Sequence, residues 1–245
     1  MKLSVISPTF NEAENVSALI DILTTILQGL DYEIVISDDD SPDRTWAVVE
    51  GIGRHDSRVR LLRRTTNRGL SASVIDGFTY ATGEAIACID ADLQHDATLL
   101  PVMLKELTNG ADLVVGSRYV AGGSTGEWSR LRYFESWIAT KLAQCVSGVR
   151  LCDPMSGYFM MRRADFMRVR DRLDGRGFKI LLEIATHLKP SKVAEVPYTF
   201  GPRVAGESKL SGKIVYAYLV QLWKLSPLAR FQGSRGTSHP TESLK

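Results

Sequence analysis

The 245-residue sequence predicts an α/β fold, a mostly parallel sheet flanked by helices. Short runs that are apolar on both faces alternate with segments of helical periodicity, which is typical of βαβ units. Polar residues follow several of these runs directly, at the point where each strand would end. The composition, 44% hydrophobic and 24% charged residues, is that of a globular protein with enough apolar residues for a full core.

Seven strands are predicted from the short apolar runs. They lie at residues 3–7, 32–37, 59–62, 85–89, 113–116, 158–161 and 193–198. The first five alternate with helices, and the second half of the chain is less regular. Because parallel strands bring their carboxyl ends to one edge of the sheet, the loops that follow them are expected to meet there.

The helices are predicted from periodic apolar residues and from end signals. Asn11-Glu12-Ala13-Glu14 resembles a capping box before the first helix. Ser41-Pro42 offers an N-cap with proline at the first helical position for the second, and Gly83 a C-cap for the third. Later helices are expected at 99–107, around 134–145 and at 178–188, and a last amphipathic, aromatic-rich helix at 214–225.

One domain accounts for nearly all of the chain, residues 1–232, followed by a polar tail at 233–245 that we expect to be disordered. A net charge of +2 gives no reason to expect a nucleic-acid partner. Three cysteines without a C-x-x-C pair indicate a reducing compartment, with each cysteine a small core residue. No signal peptide or apolar run of ~20 residues is seen, so a soluble or peripheral protein is expected.

Four polar segments follow predicted strands and should converge on one rim of the sheet. They are residues 8–12, 38–43, 90–96 and 117–118. In open α/β sheets ligands bind beyond the carboxyl ends of the strands. This rim is therefore the predicted active site.

Asp90-Ala91-Asp92 is the strongest candidate for a metal site. Two carboxylates so close together repel each other unless a cation lies beside them. Mg²⁺ or Mn²⁺ suits oxygen ligands of this kind, and Gln94 can add a neutral oxygen. A D-x-D alone is more typical of a solvated turn, but its extension through Leu93-Gln94-His95 at the carboxyl end of a buried strand favours a site. His95 has no partner at metal spacing and is interpreted as a loop histidine.

The acidic run at 38–43 has two interpretations that the residues alone leave open. It could be the acidic N-terminus of a helix, which the helix dipole favours. Alternatively, a carboxylate here could accept hydrogen bonds from a base or a ribose.

Seven motifs occur in order along the chain and together resemble one protein family. They are PTFNE at 8–12, DDDSPD at 38–43, DADLQH at 90–95, GSRY at 116–119, DPMSG at 153–157, GFKILLE at 177–183 and GESKL at 206–210. Over residues 2–225 the chain resembles the dolichyl-phosphate mannose synthases, which belong to the inverting glycosyltransferases of family 2 with the Rossmann-like GT-A fold. The last two motifs point most narrowly to polyprenyl-phosphate sugar synthases.

The resemblance implies roles for individual residues. Asp90, Asp92 and Arg118 would be catalytic, and Asp92 and Gln94 would hold Mg²⁺ or Mn²⁺. The acceptor phosphate would lie against Arg118, Arg132 and Ser136. The nucleotide-sugar would contact Pro8, Phe10, Glu12, Ile36, Asp39, Asp90, Ala91, Asp92, Gln94, Lys179, Arg203 and Lys209.

The reaction implied is transfer of mannose from GDP-mannose to a dolichyl or polyprenyl phosphate, by one metal-assisted, inverting displacement. A donor such as UDP-glucose is the alternative. A phosphate monoester is largely dianionic at neutral pH, so it needs cationic positioning more than a general base.

Relatives often continue into transmembrane helices, whereas this sequence ends in the polar tail. We expect a cytoplasmic protein, peripherally associated with the cytoplasmic face of a membrane. It would bind through the apolar face of the last helix or through a membrane-anchoring subunit. Packing of that helix on the domain is equally compatible with its sequence.

Three other classes of protein are less compatible with the sequence. A nucleotidyltransferase should carry a G-x-G-T-R loop after the first strand, where this chain has SPTFN. A processive polysaccharide synthase should carry Q-x-x-R-W and several membrane spans, and neither is seen in this sequence. An inactive binding subunit would be free to lose Asp90, Asp92 and Gln94, and all three are present.

Overall fold

The computed structural model describes residues 1–126, 128–177, 179–201 and 220–225. Within these residues seven strands form one sheet: β1 (Leu3–Thr9), β2 (Tyr32–Asp38), β3 (Val59–Arg63), β4 (Ala85–Cys88), β5 (Leu113–Ser117), β6 (Phe159–Arg162) and β7 (Val193–Pro197). All seven coincide with the predicted strands to within a few residues. The predicted tail at 233–245 lies outside the described residues.

The strand order is β3-β2-β1-β4-β6-β5-β7. Strands β1 to β4 pair in parallel, and so do β5 and β7. Only β6 runs antiparallel to its neighbours β4 and β5. The predicted mostly parallel sheet is confirmed. From β1 the chain moves to one side of the sheet to form β2 and β3, and it then crosses to the other side of β1 to form β4. The strand order thus reverses between β1 and β4, and folds of this kind bind ligands in the crevice at that point.

Helices cover both faces of the sheet: α1 (Ala13–Ile26), α2 (Thr45–Gly53), α3 (Leu70–Tyr80), α4 (Leu100–Thr108), α5 (Arg130–Ser147), α6 (Arg163–Val169) and α7 (Ile180–Leu188). Helices α1, α2 and α4 contribute to one hydrophobic cluster and α3, α6 and α7 to the other. Alternate strand residues feed the two clusters, with Val5 in the first and Ile6 in the second. The sheet is therefore buried on both faces.

The N-terminus of α1 is capped by another loop instead of its own side chains. Glu12 is at the N-cap but makes no side-chain capping bond, so the predicted capping box is wrong. The amides of Glu12 and Ala13 donate to the side chains of Thr45 and Asp43, both at 3.0 Å. Helix α2 begins at Thr45, so Ser41-Pro42 is not its N-cap as predicted. The consequence is a firm connection between the loops after β1 and β2.

Helix α5 presents its large apolar side chains to solvent. Phe134, Trp137, Ile138 and Leu142, whose periodicity predicted the helix, are 39–55% exposed. Cys145, on the same helix, is also exposed. These residues therefore mark a surface and not a core stripe.

The cysteine prediction is correct at only one position. Cys88 is buried in β4, but Cys145 and Cys152 are exposed, so neither is the small core residue that was expected. No helix in the described part of the chain is long and apolar enough to cross a membrane.

The predicted last helix is described only at residues 220–225, which are helical. Leu222 and Leu225 are buried and form a small cluster with Ala143 and Leu182. Trp223, in contrast, is 61% exposed. This part of the helix thus packs one face on the domain, and residues 214–219 lie outside the described ranges.

Candidate active site

The loop after β4 gathers three oxygen-bearing side chains. Asp90 follows the strand by two residues and its side chain is 37% exposed. Leu93 adopts a left-handed conformation with φ of 60°, which turns the chain back so that the Gln94 amide donates to Asp92 Oδ1 at 3.3 Å. Asp90, Asp92 and Gln94 therefore occupy one tight turn at the rim.

Gln94 is fixed in orientation by Gly201. Its side-chain Nε2 donates to the Gly201 carbonyl at 2.8 Å, and the Gly201 amide donates to the Gln94 carbonyl at 2.9 Å. With the nitrogen turned toward Gly201, the amide oxygen is the side that can serve as a metal ligand. Two carboxylates and an amide oxygen form a hard donor set, which fits Mg²⁺ or Mn²⁺.

The described residues contain no cluster of three or more His, Cys, Asp or Glu side chains arranged to hold a metal ion. His95 is buried among the rings of Tyr158, Tyr198 and Phe200, at centroid distances of 5.3, 5.6 and 5.7 Å. Burial lowers the pKa of His95 to about 4, so the ring is neutral. These contacts agree with its interpretation as a loop histidine. A cation here would have few ligands from the protein, and substrate phosphates would supply others, as is usual for Mg²⁺.

Arg118, at the end of β5, forms a buried ion pair with Asp153. Nε and an Nη of Arg118 donate to the two carboxylate oxygens at 2.7 and 2.8 Å. The side chain of Asp153 is fully buried and that of Arg118 is 9% exposed. Burial alone would lower the pKa of Arg118, but the hydrogen bonds and charge of Asp153 raise it above its usual value. Arg118 thus stays cationic in a fixed orientation.

The rest of the DPMSG motif supports the Asp90 loop. Ser156 Oγ donates to the Gly116 carbonyl at 2.7 Å. A Cβ placed on Gly157 would lie 2.7 Å from Asp90 Oδ2, closer than such contacts allow. A side chain at position 157 would therefore push the Asp90 carboxylate out of its place.

The residues predicted for the acceptor phosphate are brought together at the start of α5. The ring of Trp128 lies against both arginines, 5.1 Å from Arg118 Cζ and 4.2 Å from Arg132 Cζ. Tyr119 donates to Ser136 Oγ at 2.8 Å. The positive end of the helix dipole adds to these two cations. The place is suited to an anion.

A groove with a volume of about 490 Å³ opens between the loop after β5 and helix α5. It begins at Arg118 and Tyr119 and continues along Tyr133 and Trp137 of the exposed helix face. The groove therefore joins the cationic cluster to an apolar surface.

The acidic run after β2 is held mainly by contacts within the protein. Asp38 is fully buried and accepts from Thr9 Oγ1 at 2.9 Å and from Ser41 Oγ at 2.6 Å. Asp39 accepts from the Gly69 amide at 2.7 Å and from Arg64, and burial raises its pKa. These carboxylates therefore hold neighbouring loops together, a role that neither interpretation of the acidic run included.

The other residues predicted to contact the nucleotide-sugar differ in how deeply they are buried. Pro8 and Ile36 lie buried in the sheet, while Phe10 is 43% exposed and Glu12 is half-buried at the rim. Lys179 is partly buried, and burial, followed by the charge of Arg118, lowers its pKa. Asp90 and Asp153 act on the same ammonium in the opposite direction, so it lies near them. Arg203 and Lys209 are outside the described residues.

Several residues of this site carried no assignment from the sequence. Asp153 and Tyr119 were parts of motifs without a role, and Trp128 and Arg64 were not singled out. Their contacts join segments that are far apart in the chain, so no local spacing could reveal them. The DPMSG motif itself was the one available signal for Asp153.

A mostly parallel sheet with Asp90 and Asp92 in the loop after β4, the strand beside β1, agrees with the GT-A fold. The profile of "Glycosyl transferase family 2" matches residues 4–170. The chain belongs to this family, and the predicted GT-A fold is confirmed.

Relatives from three organisms match most of the chain. A dolichol-phosphate mannosyltransferase of Pyrococcus furiosus is 44% identical over 92% of this chain, which spans 64% of that protein's length. One of Saccharomyces cerevisiae is 34% identical, with 92% of this chain and 87% of the relative covered. An undecaprenyl-phosphate mannosyltransferase of Micrococcus luteus is also 34% identical, with 96% and 98% covered.

Solved structures support the fold. Glucosyl-3-phosphoglycerate synthase from Mycobacterium tuberculosis, in complex with Mn²⁺, UDP-glucose and glycerol 3-phosphate, superposes with a TM-score of 0.63 at 18% identity, over 91% of this chain and 78% of that one. Mannosyl-3-phosphoglycerate synthase from Rubrobacter xylanophilus gives 0.62 at 17% identity, over 100% and 78%.

Proposed function

We propose that this chain is a glycosyltransferase that moves mannose from GDP-mannose onto a dolichyl or polyprenyl phosphate. The observation that carries the proposal is the pairing of two sites on one rim. Asp90 and Asp92 lie in the turn that follows β4, and Arg118, which follows β5, shares the ring of Trp128 with Arg132 to form a cationic cluster. The mannosyltransferases among the relatives support the sugar and the lipid acceptor.

The donor site is proposed along the crevice between β1 and β4. Asp92 and Gln94, beside Asp90, would hold Mg²⁺ or Mn²⁺, and the bound metal supplies charge neutralisation of the leaving diphosphate. The solved relative in complex with Mn²⁺ and UDP-glucose supports a metal in this fold. The proposed donor contacts are Pro8, Phe10, Glu12, Ile36, Asp39, Asp90, Ala91, Asp92, Gln94, Lys179, Arg203 and Lys209.

The acceptor phosphate is proposed to bind at the start of α5. Arg118 and Arg132 would hold it, with Ser136 as a hydrogen-bonding partner. One phosphate oxygen then attacks the anomeric carbon while the bond from that carbon to the nucleoside diphosphate breaks, which inverts the configuration. The phosphate is already deprotonated, so the arginines position the nucleophile and no separate base is required.

The exposed apolar residues of helix α5 support association with a membrane surface, and we propose that this is the cytoplasmic face of the membrane. The exposed Trp137 of this helix lines the groove that starts at Arg118, and the exposed ring of Phe134 stacks on Trp137 at a centroid distance of 6.1 Å. Apolar side chains of this kind insert into the interfacial region of a bilayer. Phe134→Ser combined with Trp137→Ser should reduce co-sedimentation with anionic liposomes, and Trp223→Ser is the comparison for the last helix. Unchanged co-sedimentation of the α5 variant would count against this surface.

A donor screen tests the function. The purified chain is given a short-chain polyprenyl phosphate and either GDP-mannose or UDP-glucose, and release of nucleoside diphosphate is measured. We expect release from GDP-mannose that requires the lipid phosphate, is abolished by excess EDTA and is restored by Mg²⁺ or Mn²⁺. A preference for UDP-glucose would show that UDP-glucose, and not GDP-mannose, is the donor. Release that is unaffected by EDTA would refute the metal site.

A further inference from the structure

The loop that carries Lys179 is held from two sides. It runs from the end of a short 3-10 turn to the start of α7 and contains Gly177 with φ of 121°. On one side Ser71 Oγ donates to the Gly177 carbonyl at 2.9 Å. Within the loop the Asp174 amide donates to the buried Glu183 Oε1 at 2.5 Å. The loop thus rests on α3 and on the first turn of α7.

The helix at 220–225 closes over the other side of this loop. Gln221, which is 6% exposed, donates from Nε2 to the Lys179 carbonyl at 3.3 Å. Lys224 forms an ion pair with Asp174. A Cβ on Gly177 would lie 2.9 Å from Gln221 Oε1, so the glycine permits this close approach.

The helix itself is anchored to the domain core. Its Leu222 and Leu225 are buried against Ala143 of α5 and Leu182 of α7. A segment fixed in this way can restrain the loop beneath it, because its own position does not depend on the loop contacts. The ammonium of Lys179, at the end of the loop, interacts with Asp90, Arg118 and Asp153.

We propose that Gln221 and Lys224 are positioning residues for the transfer reaction: they fasten the loop so that Lys179 faces the site between Asp90 and Asp153. The proposal rests on the proposed function, in which Lys179 binds the donor diphosphate. Neither positioning residue needs to touch substrate. Their effect passes through Asp174 and through the backbone of Gly177 and Lys179.

The test uses Gln221→Met and Lys224→Met in the full chain, with Lys224→Arg as the conservative variant. The matched controls are Gln28→Met and Lys105→Met, at exposed positions just after α1 and on α4. KM for the nucleotide-sugar and for the lipid phosphate are measured separately. Cleavage by trypsin after Arg176, whose side chain is 85% exposed, reports on the loop independently of activity.

We expect Gln221→Met to raise the donor KM about three- to tenfold, the effect of one lost hydrogen bond, and to spare the lipid KM. Trypsin should cleave the Gln221→Met and Lys224→Met variants faster, and Lys224→Arg should behave as wild type. Wild-type cleavage and KM in both Met variants would overturn the proposal, and so would faster cleavage with unchanged kinetics. If wild type transfers from no nucleotide-sugar, the proposed function fails, while unchanged cleavage still refutes the restraint.

Discussion

Arg118 and Asp153 form a buried, two-point ion pair at the rim of the sheet, with N–O distances of 2.7 and 2.8 Å. Each partner comes from a different segment, Arg118 from the end of β5 and Asp153 from the loop before β6. The pair sets the plane of the guanidinium and leaves the arginine cationic. The cationic cluster of Arg118 and Arg132 therefore depends on Asp153, which itself has no proposed contact with substrate.

Asp153→Asn should destabilise the protein by about 3–5 kcal/mol, because it leaves the Arg118 charge buried without its counter-ion. Asp171→Asn is the control, since Asp171 pairs with Arg170 at the surface and its side chain is 89% exposed. The control should change stability by less than about 1 kcal/mol. Urea unfolding at neutral pH measures both. Equal losses in the two variants would contradict a special role for the buried pair.

Gly157→Ala should lower turnover without unfolding the protein. The added methyl group collides with the Asp90 carboxylate, which is partly exposed and can move aside. A misplacement of about 1 Å in a catalytic group can reduce the rate by about a hundredfold. Gly51→Ala is the control, because a Cβ there meets nothing within 4 Å in helix α2. Steady-state kinetics and thermal unfolding compare the variants, and full activity of Gly157→Ala would refute the steric explanation.

Glu33 should make stability depend on acid pH. It accepts from Ser4 Oγ and from the Thr82 amide, both at 2.6 Å, and from Arg60 at 2.7 Å. Burial opposes the charge, but these hydrogen bonds outweigh it and lower the pKa from 4.5 to about 2. The stabilisation is therefore complete above pH 4.5 and is lost as the pH falls toward 2.

The check is urea unfolding of wild type and Glu33→Gln from pH 7 to pH 3. The variant should be about 1–3 kcal/mol less stable at pH 7, where the wild-type carboxylate accepts from four donors. The difference should shrink below pH 4.5, where wild type begins to lose the contribution of Glu33. A difference that stays constant over this range would show that the ionised carboxylate is not its source.

Arg132→Ala should weaken use of the lipid phosphate and spare the nucleotide-sugar. A charge-assisted hydrogen bond contributes about 1.5–3 kcal/mol, so the loss in acceptor use should be about ten- to a hundredfold. Arg168→Ala, with a side chain 70% exposed on α6, is the control. Kinetics with each substrate varied in turn separate the two effects. A defect confined to the nucleotide-sugar would make the assignment wrong.

The inner strands could be predicted from the sequence because they are buried on both faces and carry short runs rich in apolar residues, whereas the edge strands β3 and β7 are only partly buried. The cap of α1 could not be predicted, because its amides bond to Thr45 and Asp43, which lie 30 or more positions away in the chain. The apolar stripe of α5 identified a helix correctly. Its exposure could not be foreseen, since periodicity shows that a face is apolar but not what covers it.

The site was predictable where chemistry is local in sequence. Asp90, Asp92 and Gln94 lie in one turn, and the expected proximity of Arg118, Arg132 and Ser136 agrees with the contacts through Trp128 and Tyr119. Residues that act through long-range contacts had no such signature. Asp153 and Gln221 are examples, because their partners lie 35 and 42 positions away. The substrate contacts of all these residues stay predictions.

The most direct test of the proposed function is a comparison of acceptors. The chain is incubated with radiolabelled GDP-mannose, Mg²⁺ and either a polyprenyl phosphate or the matching polyprenol, and the organic phase is examined by mass spectrometry. The proposal predicts one mannose linked to the lipid through phosphate for each GDP released, and no product from the polyprenol. Equal transfer to the polyprenol, or GDP release with free mannose and no lipid product, would contradict it.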